Sequence, residues 1–489
     1  AGTGAEAAQT PEMRGAGSAN LQPRFRCARC MAKAVKVMVL FCVVQLSACT
    51  LQLAWHAPFP TSLRTSPTAL LQKAAGLVQD LGEHMLCRRL CDHVPDAPPW
   101  LDTEWAAFLL DLTDDAVQRA LAQGLRGLLR EYRKPGSAGT FCRGGMAPPP
   151  SLREFAAAVD EIDGALVPAP TPPPLPPPVG LLGMKTRKAQ QVRAFVRAAR
   201  DWVGVGSIQR VVDVGAGRGG LTRHLQLEFG CPCLGLEASL ESVETARRLA
   251  QASGHSDVSF AKCDVHDVED VASQVQEGDL LVGLHACGSI GESIVGAAAS
   301  AARLTSPSLL LVACCLQGRP WAPMDHPRLP CSELGRRLGL ALPEEALRVS
   351  NLGRPEGASL RAMRASAALR QLFAARGLEL EGNHMAGVRR GSRLRGMSHA
   401  LAAEALAVHG LAPPSPAEVA AAGAAADAAV PALLRLGLLR RLVGDLVELA
   451  VSLDRSCLLA EVGFLAEVGR LFPASISPRN IAIRARRRA

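Results

Sequence analysis

From residue 210 onward, short apolar runs recur along the chain, and each ends at glycine or a polar residue. Arg210–Val214 opens onto Gly215-Ala-Gly-Arg-Gly-Gly220, Cys233–Leu236 ends at Glu237, and Val258–Ala261 precedes Cys263-Asp264. Asp279–Leu284 then precedes His285, and Leu309–Ala313 precedes Cys314. Segments with apolar residues three and four apart lie between them, the first being Ala189–Trp202. Strands alternating with helices at such intervals predict an α/β fold with a doubly wound, mostly parallel sheet. Towards the C-terminus the pattern adds a helix near Leu439–Val462 and two strand-like pieces, Phe464–Phe472 and Asn480–Ala485.

The stretch before this is different. Residues 68–164 read as a helical N-terminal region, with helix-spaced apolar positions in Ala69–Leu77 and from Trp105 to Tyr132. From Pro168 to Pro178, eight of eleven residues are proline, which suits neither a helix nor a central strand. A linker over 165–180 is therefore expected to separate the helical region from a domain spanning 181–489. Within that domain, residues 319–438 read as a helical, arginine-rich insert, with an alanine-rich stretch from Ala402 to Ala429 read as helix and loose connection.

The chain has 489 residues, 48% hydrophobic and 20% charged, values that exclude wholesale disorder and a polytopic membrane protein. Its net charge of +9 would point to an anionic partner if it were evenly spread. It is not. Residues 1–79 carry eight Lys/Arg against two acids, a net of +6, and residues 319–395 carry fourteen Arg against seven acids, a net of +7. The remainder is then 9 − 6 − 7 = −4. No acid lies between Glu12 and Asp80, and five basic residues from Arg24 to Lys36 precede the apolar run Val37–Leu46. That order is the layout of a signal peptide, and the Ser/Thr-rich stretch after Thr61 resembles a transit segment. Residues 1–67 therefore read as a leader for an organelle or the secretory route, or as a disordered segment, with a buried helix as the alternative for the apolar run. If retained, residues 31–55 would be the chain's contact with a membrane; without such a leader the expectation is cytoplasmic.

Fifteen cysteines, an odd number, do not pair by spacing into a zinc array. Adjacent Cys314 and Cys315 are poorly disposed to ligate one ion together, and no metal is expected. A reducing compartment fits this usage.

The candidate chemistry starts at Asp213-Val-Gly-Ala-Gly-Arg-Gly219, where a strand meets a helix. Gly215, Gly217 and Gly219 let the backbone approach a ligand, and the helix start offers N–H donors. Glu237, 24 residues after Asp213, ends the next strand, where a carboxylate suits a ribose diol. Asp264 at the end of the third strand is placed for an adenine amino group. Acidic Asp213 suits an aminoacyl ammonium and would repel a pyrophosphate, so the set favours S-adenosyl-L-methionine over NAD.

Several tracts together resemble the methyltransferase-like protein 25 family. They are Gly183-Met-Lys-Thr-Arg-Lys-Ala-Gln-Gln-Val192, Val211–Arg223, Gly283-Leu-His-Ala-Cys-Gly288, Val312-Ala-Cys-Cys315, Leu453-Asp-Arg455 and Ser477-Pro-Arg-Asn480. The resemblance runs from about residue 68 to the C-terminus. It implies a Rossmann-like class I methyltransferase fold, with the last two strands as an antiparallel edge hairpin, and an S-adenosylmethionine-dependent methyltransferase activity. The chain departs from the family at Ser289, where Asp is usual, at Leu316, where an aromatic residue is usual, and at Arg187-Lys188-Ala-Gln-Gln191, where the family has Lys-Lys-x-His-Glu.

His285 and Cys287 are the candidate catalytic residues. An imidazole with an ordinary pKa of ~6.5 can orient or deprotonate an acceptor, and His285 also stands as a structural histidine beside the cofactor. Cys287, Cys314 and Cys315 read first as small apolar packing beneath the pocket, with nucleophile or metal ligand as the alternatives. Lys185, Lys188, Arg479 and Asn480 are candidates for binding the acceptor, and Arg389, Arg390, Arg393 and Arg395 for a phosphate-contacting surface. A macromolecular acceptor, RNA or protein, is expected from the appended helices and the arginine-rich insert. Two alternatives stand beside this reading: a non-catalytic cofactor-binding scaffold or sensor, and a membrane-anchored adaptor of an organelle.

Overall fold

The strand Arg210-Val-Val-Asp-Val214 shows why the sheet is covered on both sides. Val211 and Val212 point to opposite faces, as alternation in a strand requires, and both are fully buried. In the computed structural model, which describes residues 66–87, 103–132, 141–168, 184, 186–203, 208–316, 328–350, 357–378, 388, 396–474 and 476–487, the two faces belong to separate apolar clusters. Val211, Leu280, Val282, Leu310 and Val312 pack on one side, while Val212, Leu281, Leu309 and Leu311 pack on the other.

Seven strands form the sheet among the described residues. They are β1 (Arg210–Val214), β2 (Cys233–Glu237), β3 (Val258–Lys262), β4 (Asp279–Ala286), β5 (Ser308–Ala313), β6 (Phe464–Arg470) and β7 (Ile481–Arg487). Their order is β3-β2-β1-β4-β5-β7-β6. The first five are parallel, and β7 runs antiparallel between β5 and β6. This is the class I methyltransferase order, with the last two strands as an antiparallel edge hairpin.

Ahead of the sheet lie α1 (Pro67–Cys87), α2 (Thr103–Asp111), α3 (Asp114–Tyr132), α4 (Pro150–Gly164) and α5 (Thr186–Val203). Between strands come α6 (Gly220–Phe229), α7 (Leu240–Ala252), α8 (Val268–Ala272) and α9 (Ile290–Ala301). After β5 follow α10 (Glu333–Arg337), α11 (Glu344–Val349), α12 (Gly357–Ala375), α13 (His399–Ala407) and α14 (Pro416–Glu461). Helices α5 and α6 cover one face through Val192, Phe195, Leu221 and Leu225. The other face is covered by α9, by α14 and by the N-terminal helices, whose Leu71, Phe108, Leu128 and Val159 share one cluster with Val212 and Leu281. The proline tract thus separates these helices from the sheet along the chain but not in the core.

Three expectations change in detail. The stretch from Trp105 to Tyr132 is broken at Leu112 and Thr113, and α3 is kinked at Gly124, whose φ of 81° is not helical. The alanine-rich stretch divides into α13 and the start of α14, which Ser415 and Glu418 cap reciprocally. Because α14 then runs unbroken for 46 residues, the insert boundary expected at 438 falls inside a helix. Residues 1–65 of the leader, residues 169–180 of the linker, Arg389–Arg395 and Lys185 lie outside the described residues, while Pro67 starts α1.

Candidate active site

The turn after β1 is held by the strand beside it. The Gly215 and Ala216 N–H groups both donate to the Leu236 carbonyl, at 2.9 and 3.0 Å. Gly215, Gly217 and Gly219 take φ of 78°, 57° and 69°, values that glycine adopts without a Cβ penalty. A Cβ on Gly219 would collide with the Phe260 ring, whereas one on Gly217 would meet nothing within 4 Å. The turn is therefore packed at its base and open at its crest. Met184, from the Gly183-Met-Lys tract, sits with its methyl against Gly220 at the start of α6.

The three acids occupy the ends of neighbouring strands but differ in setting. Asp213 is only 2% exposed, and the Thr222 hydroxyl donates to its Oδ2 at 2.7 Å. Burial pushes its carboxyl up to about 6, against the opposing effect of the Thr222 hydrogen bond and the Lys188 charge. Glu237 is half-buried and accepts from Gly217 N–H at 2.8 Å and from Ser239 N–H at 3.0 Å. Asp264 is exposed and accepts from His266 N–H at 3.1 Å. A buried acid beneath the turn, a second bridged to its crest and a third facing solvent fit the ammonium, ribose and adenine ends of S-adenosylmethionine by donor chemistry. The open crest at Gly217 leaves room for the backbone to meet it.

His285 lies at a bulge in β4 between Leu284 and Ala286, and it is the non-glycine residue with positive φ, 65°, among the described residues. Its Nε2 is 2.8 Å from Gln191 Oε1, and Gln191 Nε2 donates to the Ile476 carbonyl at 3.4 Å. A carbonyl acceptor beyond the amide leaves Oε1 to accept, so the imidazole donates from Nε2. Gln191 belongs to the tract that departs from the family pattern. Sequence reasoning marked that departure but had no signal for its contact, which joins residues 94 apart. Thr222 was likewise missed as the partner of Asp213, although an Asp with a Thr nine residues on, across a strand–turn–helix, is a legible pairing.

Cys287, Cys314 and Cys315 converge at the ends of β4 and β5. Cys314 and Cys315 donate towards the Cys287 sulfur, and these hydrogen bonds hold the Cys287 thiol well below its ordinary range. The neighbouring Cys315 thiol is correspondingly raised by its bond to Cys287. Ser289 is 1% exposed, with Oγ 2.8 Å from His266 Nδ1, and Leu316 is buried in the core.

Of the candidate acceptor-binding residues, Lys188, Arg479 and Asn480 are described and differ in setting. Lys188 is exposed on α5, near enough to Asp213 for its charge to act there. Arg479 donates to the Ser350 carbonyl and lies 4.0 Å from Glu448. Asn480 is 2% exposed; its Oδ1 accepts from Arg470 at 2.8 Å and its Nδ2 donates to the Phe472 carbonyl at 2.8 Å. Both ends of the Asn480 amide thus fasten the β6–β7 hairpin.

Residues 186–318 match a family described as a methyltransferase domain. A geranyl diphosphate methyltransferase in complex with GPP and sinefungin is 19% identical over 27% of this chain and 48% of its own, with a TM-score of 0.21. The YcgJ protein from Bacillus subtilis is 23% identical over 25% of this chain and 51% of its own, with a TM-score of 0.21. A magnesium protoporphyrin IX methyltransferase from Synechocystis PCC 6803 with bound SAH is 19% identical over 26% of this chain and 55% of its own, with a TM-score of 0.20. The chain spans about half the length of these three proteins. The matched segment is thus similar to a methyltransferase domain, and its five strands carry the parallel order β3-β2-β1-β4-β5.

Proposed function

We propose that this chain, as a whole, transfers the methyl group of S-adenosylmethionine to a nucleophile on RNA or protein, and that it is a member of the methyltransferase-like protein 25 family. One observation carries the reading: Asp213, Glu237 and Asp264 stand at the carboxyl ends of three adjacent parallel strands, around a glycine turn that is open at Gly217. Open α/β sheets bind their ligands at that edge. The family assignment rests on the order of its motifs along the chain, and the macromolecular acceptor on the helices and arginine-rich insert added to the domain.

The bound cofactor supplies an electrophilic methyl on a sulfonium. The protein's task is then to hold the acceptor in line with it, and positioning supplies most of the acceleration. Asp213 and Glu237 would hold the two ends of the cofactor that flank the sulfur. His285, held by Gln191, would orient or deprotonate the acceptor. A second reading, a cofactor-binding scaffold without transfer, is favoured by Ser289, which stands where the family usually has Asp.

The test is to incubate the full chain with methyl-labelled S-adenosylmethionine and either total RNA or a protein extract. Label in one of the two fractions is expected. Binding without label in either fraction would leave the scaffold reading, and no binding would overturn both.

A further inference from the structure

Three sulfurs meet where β4 and β5 end, and the backbone is bent to bring them there. Beyond the bulge at His285, Gly288 takes a φ of 58° and its N–H donates to the Cys315 carbonyl at 2.5 Å, clamping the loop after β4 onto the loop after β5. The positive φ of His285, costly for a residue with a Cβ, persists only where the surroundings over-determine it. The Sγ atoms of Cys287, Cys314 and Cys315 all lie within 4.8 Å of one another, and those of Cys314 and Cys315 are 3.6 Å apart. Adjacency in sequence therefore does not keep the last two from facing one point.

That spacing discriminates between the uses of a thiol cluster. A disulfide needs sulfurs ~2.05 Å apart, and all three cysteines are free. A tetrahedral ion with metal–sulfur bonds of ~2.3 Å holds its sulfurs ~3.8 Å apart, close to the separation of Cys314 and Cys315. Thiolates select zinc over magnesium or calcium. Cys287 is exposed, which provides an entry path and leaves one side of the cluster to solvent.

We propose that Cys287, Cys314 and Cys315 form a three-thiolate site for a zinc ion at the mouth of the candidate active site, with the fourth position left to an exogenous donor. Three protein ligands and an open position are the arrangement of zinc sites that act on a bound molecule, whereas structural sites close all four.

The full chain, reduced and stripped with a chelator, is titrated with Zn2+ against a chromophoric chelator, beside Cys287→Ser and Cys315→Ser. Each variant is expected to bind one zinc ion fewer than the unaltered chain, so zinc held by other cysteines cancels in the difference. Co2+ should give sulfur-to-metal charge-transfer absorption that weakens in both variants. Cys287→Ser is the primary variant because its side chain is exposed, and the thermal melt of each protein reports folding separately. Equal zinc stoichiometry and unchanged Co2+ spectra in a folded variant would overturn the site. So would a disulfide among the three sulfurs in protein kept under reducing conditions. Neither readout depends on methyl transfer.

Discussion

Glu237 receives two backbone N–H groups, so the carboxylate suited to a ribose also shapes the turn that would cradle the cofactor. Charge-assisted bonds of this kind are worth ~1.5–3 kcal/mol each, and Glu237→Ala is expected to weaken S-adenosylmethionine binding at least tenfold in calorimetry. Unchanged affinity would remove Glu237 from the site. Asp213 predicts a pH dependence. Its folded pKa is raised to about 6, so the ionised form that attracts an ammonium accumulates only as pH climbs through that value. Cofactor affinity should therefore rise between about pH 5 and about pH 7 and then level off, and Asp213→Asn should abolish the step. At Gln191 the partner of the His285 ring is a neutral amide. Gln191→Glu sets a carboxylate on the ring and favours imidazolium, so the pH–rate profile of methyl transfer should move to higher pH.

At the scale of elements, buried charge joins pieces that are distant in sequence. Asp454 on α14 accepts from Arg328 Nη2 at 2.9 Å, Cys331 N–H at 2.9 Å and the Ser332 hydroxyl at 2.6 Å, while Arg328 also reaches Glu292 at 2.5 Å. Burial raises the Asp454 carboxyl, but the Arg328 charge and these donors outweigh it and leave its pKa below the ordinary value. The segment after β5 is thereby tied to α14 and to α9, and Asp454→Ala would break one of the two ion pairs of Arg328, which is 1% exposed, and leave it Glu292. Breaking a buried pair costs ~3–5 kcal/mol, a loss that chemical denaturation of the variant should show. On the opposite edge, Arg126 bonds Asp160, Asp163 and Asp445, fastening α3 and α4 to α14. Val167 adds a bridge to β6, with Gly469 leaving room that a side chain would fill.

The whole molecule carries one further titration, because Glu448 lies where α14, the hairpin and the N-terminal helices meet, and burial pushes its carboxyl up to about 7. A raised folded pKa means that the folded state holds a proton the unfolded chain gives up. The stabilisation is complete below the ordinary Glu range and is lost as pH rises through about 7. The melting temperature of Glu448→Gln should thus gain on that of the unaltered chain between about pH 5 and about pH 8, and parallel curves would refute the assignment. The strands were legible at this scale because a strand buried on both faces reads as an unbroken apolar run, and the glycine turn and the acids follow directly from where those runs stop. The contact of Gln191 with His285, the convergence of Cys287 with Cys314 and Cys315, and the pairing of Arg328 with Asp454 were not legible. Each depends on which strands and helices become neighbours, which a local period does not encode. By itself the sequence determined an α/β sheet with acids and glycines at the ends of its strands, since propensity and hydrophobic period act over a few residues. Only the tertiary structure decided which acid is buried, where the amide at Gln191 points and that three thiols share one point, since crossovers between strands bring those groups together across tens to hundreds of residues.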